Sequence, residues 1–212
     1  MQKSRVRYGT LSSDEFNIAA RALSHRWKQI ESARPQWDWI PCSRTINGDS
    51  CLNVQNEGYL SMKGVHICDS DKILSDKHKT HVYDYHIVYS FSYRVPVLYF
   101  RGYQSGGQLL NSDDIQKDLP FYSLSTLRDS KWTFMTQEEH PYLHRPWYTL
   151  HPCGTSEWMK FLLGTQPTDD SKIVGYLPAW LSVAGQAVGL KIPLELHSIS
   201  LQESTFSSVV NV

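Results

Sequence analysis

The strongest periodic signal lies at 83–93, where Tyr83, Tyr85, Ile87, Tyr89, Phe91 and Tyr93 alternate with Asp84, His86, Val88, Ser90 and Ser92. Alternation with period two predicts a strand with one buried face. Val95-Pro96 is expected to break it, because proline cannot donate to a ladder. Val97 to Arg101 follows as a run apolar on both faces, which predicts a central strand. Upstream, Phe16, Ala20, Leu23, Trp27 and Ile30 share one stripe at helical spacing. Ser13 or Asp14 as cap and Arg34-Pro35 as stop give an opening helix over 13–31.

The remaining pattern is weaker. Trp37 to Pro41 reads as a loop entry. Cys51 to Gln55 and Tyr59 to Ile67 flank the turn residues Asn56-Glu57-Gly58 and predict a hairpin. The polar run 69–81 is a connection, expected to be mobile. Ser105-Gly106-Gly107 is a turn, and Asn111 to Asp114 cap a short helix through Leu119. Lys131 to Gln137 suits a short strand. His140-Pro141 and Arg145-Pro146 are expected to hold the next stretch extended as far as Trp147 to His151. After Pro152-Cys153-Gly154, a helix capped by Thr155 or Ser156 runs to Leu163. A final helix spans Val174 to Leu190, with Leu177, Trp180, Leu181 and Ala184 on one side and Pro178 in its first turn. Residues 198–212 read as a frayed tail. A helix, then antiparallel strands, then helices is an α+β order, and one domain over 1–212 accounts for it without internal repeats.

Composition narrows the function. At 212 residues and 41% hydrophobic, the chain can bury a core without disulfides. The formal net charge is zero and no basic run occurs, which excludes a broad nucleic-acid face. No apolar run is long enough for a membrane helix, so stable membrane insertion is not expected. The cysteines Cys42, Cys51, Cys68 and Cys153 form no C-x-x-C pair, and no apolar signal core follows Met1, which together predict free thiols in a reducing cytoplasm. Seven Trp and twelve Tyr exceed what such a core needs and predict a protein-contacting surface.

Cys153 is the candidate nucleophile. Pro152 fixes the chain before it, Gly154 leaves it uncrowded, and a helix N-terminus beside it favours the thiolate. Three other readings stay open on these residues. Cys153 can be a buried structural thiol. His140, His144, His151 and Cys153 lie close enough in sequence for a zinc site, although Pro141 and Pro146 oppose the helix that His140-x3-His144 needs. A cysteine hydrolase would pair Cys153 with His140 or His86, oriented by Asp84 or Glu139. Gly102 to Gly107 lacks the Lys-Ser/Thr of a phosphate loop, Glu138-Glu139 suit solvent, and Asp113-Asp114 suit capping.

Several of these segments together resemble the E2-like conjugating enzymes of autophagy. The segments are Tyr83 to Ser90, Ser92 to Phe100, Thr136 to Pro141, His151-Pro152-Cys153 and Ser182 to Leu190. The resemblance implies an E2-like fold, an antiparallel β-sheet with an N-terminal helix and C-terminal helices. The chain is too short for the lipid-conjugating branch and resembles the branch with a protein acceptor. It implies that Cys153 takes a ubiquitin-like modifier, autophagy-related protein twelve, from an E1-like activating enzyme as a thioester. The modifier then passes to a lysine of the acceptor, autophagy-related protein five. It further implies an active-site position at Thr136, where a hydroxyl can donate to the oxyanion that an Asn serves in ubiquitin E2 enzymes. No metal and no cofactor are implied for the enzyme itself; ATP belongs to the E1-like partner. The Tyr-rich strand is a candidate edge for docking the acceptor. A binding module with a degenerate E2-like fold is the non-enzymatic alternative.

Overall fold

The computed structural model describes residues 9–30, 35–42, 57–68, 80–120, 122–123, 135–164 and 170–198. Six antiparallel strands form one sheet: β1 (Asp38–Pro41), β2 (Gly58–Cys68), β3 (Thr80–Ser90), β4 (Val95–Tyr103), β5 (Met135–Glu139) and β6 (Pro146–Leu150). Their spatial order is β1-β2-β3-β4-β6-β5. The central strand read from Val97 to Arg101 is β4, flanked by β3 and β6 and buried from Val95 to Phe100.

Alternation along the strands sorts side chains onto two faces. Leu60, Met62, Tyr83, Tyr85, Ile87, Tyr89, Leu98 and Phe100 point into the main core. Helices α1 (Ser13–Gln29) and α4 (Asp170–Ala187) cover that face, with α3 (Thr155–Leu163) beside α4. All five residues of the N-terminal stripe, Phe16 to Ile30, are buried there. Short helices α2 (Ser112–Asp118), capped by Asn111, and α5 (Glu195–Ser198) complete the order. The opposite face carries a smaller cluster of Tyr59, Val88, Val97, Tyr99 and Trp147, covered by Tyr142 and Leu143 of the β5–β6 turn.

Several boundaries differ from the sequence reading. The cap of α1 is Ser12, not Ser13 or Asp14: its hydroxyl accepts from Glu15 N–H, and the Glu15 carboxylate accepts from Ser12 N–H, a capping box. The helix stops at Gln29. Trp37 to Pro41 is no loop entry: 38–41 is an edge strand paired with β2, and Pro41 sits at its end, where a missing N–H costs little. Of the hairpin drawn around Gly58, the strand over Tyr59 to Ile67 is present. Its observed partners are β1 and β3, and Cys51 to Gln55 lie outside the described residues.

Strand β3 ends at Ser90. Phe91 and Tyr93 belong to a turn that Arg94 closes at φ 58°, donating to Ser90 O at 2.6 Å. Val95-Pro96 therefore starts the next strand instead of interrupting one. Pro96 is tolerated there because β6 pairs with β4 only at Tyr99 and Phe100. Residues 140–145 are a tight turn, with His140 N–H on Arg145 O at 3.0 Å and His144 N–H on His140 O at 2.9 Å, not the extended segment that the two prolines suggested. Helix α4 begins at Asp170, which puts Pro178 in its interior. A mid-helix proline costs about 3 kcal/mol. Burial of Tyr176, Leu177, Trp180 and Leu181, each worth roughly 1.5–3 kcal/mol, outweighs that. The connection 69–79 and the tail after Ser198 lie outside the described residues.

An N-terminal arm, Gly9 to Ser12, ties distant parts together. Leu11 N–H donates to Arg94 O at 2.9 Å, Tyr89 Oη donates to Leu11 O at 2.7 Å, and Tyr176 Oη donates to Gly9 O at 2.8 Å. Gly9 has φ 77°, and a Cβ there would sit 1.9 Å from Ser156 O in α3, so only glycine fits. No helix among the described residues is long and apolar enough to cross a membrane.

Candidate active site around Cys153

Strand β6 delivers the chain to Cys153. After Leu150, Pro152 to Gly154 make a single 3-10 turn that runs directly into α3. Gly154 is the N-cap of α3 and supplies no side chain, so neither Thr155 nor Ser156 caps the helix. The turn is held from the other side: His151 Nδ1 accepts the Cys153 N–H at 3.3 Å, and Thr155 N–H donates to Pro152 O. Cys153 is exposed at this junction, in contrast to Cys42. Cys42 is half-buried, its Sγ lies 3.8 Å from Ile40 O, and burial followed by Glu57 pushes its thiol up. The buried-thiol reading of Cys153 is therefore wrong.

Tyr93 joins the site from the β3–β4 turn. Its ring meets the His151 imidazole edge-on at 5.4 Å, with Oη 3.4 Å from Nε2. Because Nδ1 accepts from Cys153, the neutral ring carries its proton on Nε2 and donates toward the phenol. The sequence reading missed Tyr93 as a neighbour of His151. Nothing local signals a contact between residues 58 positions apart.

Thr136 lies in β5, where its register partner is Thr149 of β6. The strands are antiparallel, so the start of β5 is level with the end of β6 that leads into the cysteine turn. Successive partners across the sheet are Asp38, Ser61, His86, Tyr99, Thr149 and Thr136, one row on the face away from the helices. The Thr136 hydroxyl donates to Glu138 Oε1 at 3.1 Å.

The zinc and hydrolase constellations are not assembled. His140 is fully buried under the β5–β6 turn, whereas His144 is exposed and pairs with Glu139 at 2.9 Å. Among the described residues no three metal-ligating side chains gather. His86 and His140 face each other instead of Cys153, Nδ1 to Nε2 at 3.0 Å. Their protons can be placed. His140 Nδ1 accepts from the N–H of Tyr142 and Leu143, each at 3.3 Å, so its Nε2–H donates to His86 Nδ1. The proton of His86 then sits on Nε2, a buried atom without a hydrogen-bond partner. Both rings lie among aromatics, His86 stacked on Trp147 at 4.3 Å and tilted against Tyr59 at 4.7 Å. Burial, then the charge of His140, drives His86 down to about 3; burial, then Arg145, drives His140 down to about 4.

The Tyr-rich strand is not an edge. β3 pairs on both sides, and Tyr83, Tyr85 and Tyr89 are core. Its exposed aromatics are Phe91 and Tyr93 in the turn.

The family model described as "Autophagocytosis associated protein, active-site domain" matches residues 15–195. The chain belongs to this family. It is similar to the ubiquitin-like-conjugating enzyme ATG10 of Arabidopsis thaliana, 44% identical over 89% of the chain and 95% of that protein. The Homo sapiens ATG10 is 31% identical over 91% of the chain and 98% of that protein. Among solved structures, "Crystal structure of Autophagic E2, Atg10" superposes with a TM-score of 0.50 at 19% identity, covering 86% of the chain and 99% of that structure. The last shows the fold; the first two show the activity class. The protein is an E2-like ubiquitin-like-conjugating enzyme of autophagy, with the α+β fold that the resemblance implied. Its function as a conjugating enzyme implies an E1-like partner and a ubiquitin-like modifier.

Proposed function

We propose that Cys153 is the thioester carrier of this enzyme. The observation that carries the reading is an exposed cysteine on the turn between β6 and α3, inside the segment matched by the active-site family model. The thiolate attacks the thioester of an E1-bound modifier; the new C–Sγ bond forms as the old C–S bond breaks, and the E1 thiol leaves. Exchange between two thioesters is nearly balanced, so alignment matters more than driving force. A lysine amine of the acceptor then attacks, the C–Sγ bond breaks, and an isopeptide bond results. The modifier is autophagy-related protein twelve and the acceptor autophagy-related protein five. Thr136 is the candidate donor to the oxyanion of the second step. What supports it is its place on the strand level with the cysteine turn; its hydroxyl has to leave Glu138 to serve. The enzyme works in the cytoplasm with no metal or cofactor of its own, ATP being spent by the E1-like enzyme.

The test is a loading assay with E1-like enzyme, modifier and ATP, resolved on gels with and without reductant. A reductant-sensitive adduct that Cys153→Ala abolishes is expected. No adduct from a demonstrably charged E1-like enzyme would remove the reading and favour a non-catalytic binding module.

A further inference from the structure

One histidine fastens the β5–β6 turn, residues 140–145, to the outer face of the sheet. Three backbone N–H groups converge on His140. Those of Tyr142 and Leu143 meet Nδ1, each at 3.3 Å, and that of His144 meets the carbonyl oxygen at 2.9 Å. From the other side of the ring, Nε2–H donates to His86 Nδ1 at 3.0 Å. The fastening therefore depends on two imidazole lone pairs. A proton on His140 Nδ1 turns an acceptor into a donor facing two donors, and a proton on His86 Nδ1 sets two N–H groups against each other.

The surroundings offer such a proton nothing in return. His140 is fully buried and His86 is 2% exposed. The charges of Lys63 on β2 and of His144 and Arg145 in the turn all oppose it. Tyr59 of β2, Tyr99 of β4 and Tyr142 of the turn face the pair as rings. The carboxylates of the adjoining strands are held elsewhere: Asp84 by Gly64 N–H, Glu138 by Thr136 and Glu139 by His144.

The fastening is also local. The turn covers a cluster separate from the main core, and strands β1 to β4 pair without it. Tyr142, stacked on Tyr59 at 5.5 Å, and Leu143 are half-buried, whereas Pro141, His144 and Arg145 are exposed. His144 sits at φ 50°, a left-handed conformation unfavourable for a non-glycine residue, which opening would relieve.

We infer that this turn is a proton-operated lid: protonation of the His86–His140 pair lifts residues 140–145 off the sheet and uncovers the aromatic outer face while the helix-covered core stays folded. The closed lid keeps His86 down at about 3 and His140 at about 4, against 6.5 for a free imidazole. Above 6.5 opening takes up no protons. Below it, proton uptake drives opening, by about thirtyfold per ring at pH 5 relative to pH 7.5.

Amide hydrogen exchange, followed by NMR from pH 7.5 to 5 and corrected for intrinsic exchange rates, reads the lid directly. The amides of Tyr142, Leu143 and His144 should be less protected than those of Tyr85 and Ile87 in β3. Low urea should leave their protection unchanged, because a local opening exposes little surface. Their protection should fall about thirtyfold or more across the pH range; a smaller fall overturns the lid. So does a protection and a urea dependence equal to those of β3, because the turn would then open only when the whole fold does. His86→Gln keeps an acceptor for His140 Nε2–H and does not titrate. It should reduce the fall by about thirtyfold, and an undiminished fall overturns the role of the pair. If His86→Gln does not fold, His140→Asn takes its place with the same two outcomes, since an Asn carbonyl accepts the same N–H groups of the turn and does not titrate.

Discussion

At Cys153 the thiol is presented by its neighbours' backbone and by one imidazole. Cys153→Ser should trap the modifier as a reductant-resistant oxyester, and Cys153→Ala should form no adduct, both read on gels. His151→Ala removes the acceptor that fixes the Cys153 N–H and should slow loading about tenfold. His151→Asn should retain most of the rate, because an Asn side chain accepts the N–H two residues on in the same kind of turn. Equal losses in the two variants would show that the imidazole acts in some other way. Thr136→Ala should slow discharge onto lysine more than loading, as single-turnover assays of each step would reveal; equal losses would count against an oxyanion role. The exposed junction that carries Cys153 was legible in the sequence because Pro152, Gly154 and the following helix are local. The His151 contact with Tyr93 and the burial of His86 against His140 depend on strand register across the sheet, which a linear pattern does not contain.

At the level of elements, local sequence and tertiary packing divide the credit. The stripe from Phe16 to Ile30 and the alternation from Tyr83 to Tyr89 were readable because period and burial coincide. The same alternation runs on through Phe91 and Tyr93, where the chain already turns; hydrophobic pattern alone cannot mark a turn whose side chains are large and apolar. Pro178 misled in the opposite sense, because the packing of α4 overrides a strong local rule. For α1 the decisive residue is the cap. Ser12→Ala should cost about 1 kcal/mol in urea unfolding, since it removes the acceptor for Glu15 N–H. A loss confined to noise would mean that packing of α1 against the sheet and α4 sets its start without the box.

Across the whole molecule, the outer face of the sheet is where pH acts on stability. His86 and His140 are neutral in the fold, at about 3 and about 4, and titrate near 6.5 once unfolded. Below 6.5 the unfolded chain therefore binds protons that the folded one refuses. Stability is full above that value and falls as pH drops toward 4, by up to about 1.4 kcal/mol per pH unit for each ring. Urea midpoints measured from pH 7.5 to 4.5 should decline on the acid side, and His86→Gln should make the decline shallower. An unchanged slope in that variant would place the acid sensitivity elsewhere. The N-terminal arm carries a consequence of a different kind, for the order of events during synthesis. Gly9 packs on Ser156 and is bonded by Tyr176, so the first described residues and the helix behind the cysteine are locked by a residue from far down the chain. During synthesis the arm can close only after α4 has left the ribosome, because Tyr176 supplies its bond. The segment behind Cys153 thus reaches its final packing only after α4 has emerged and docked.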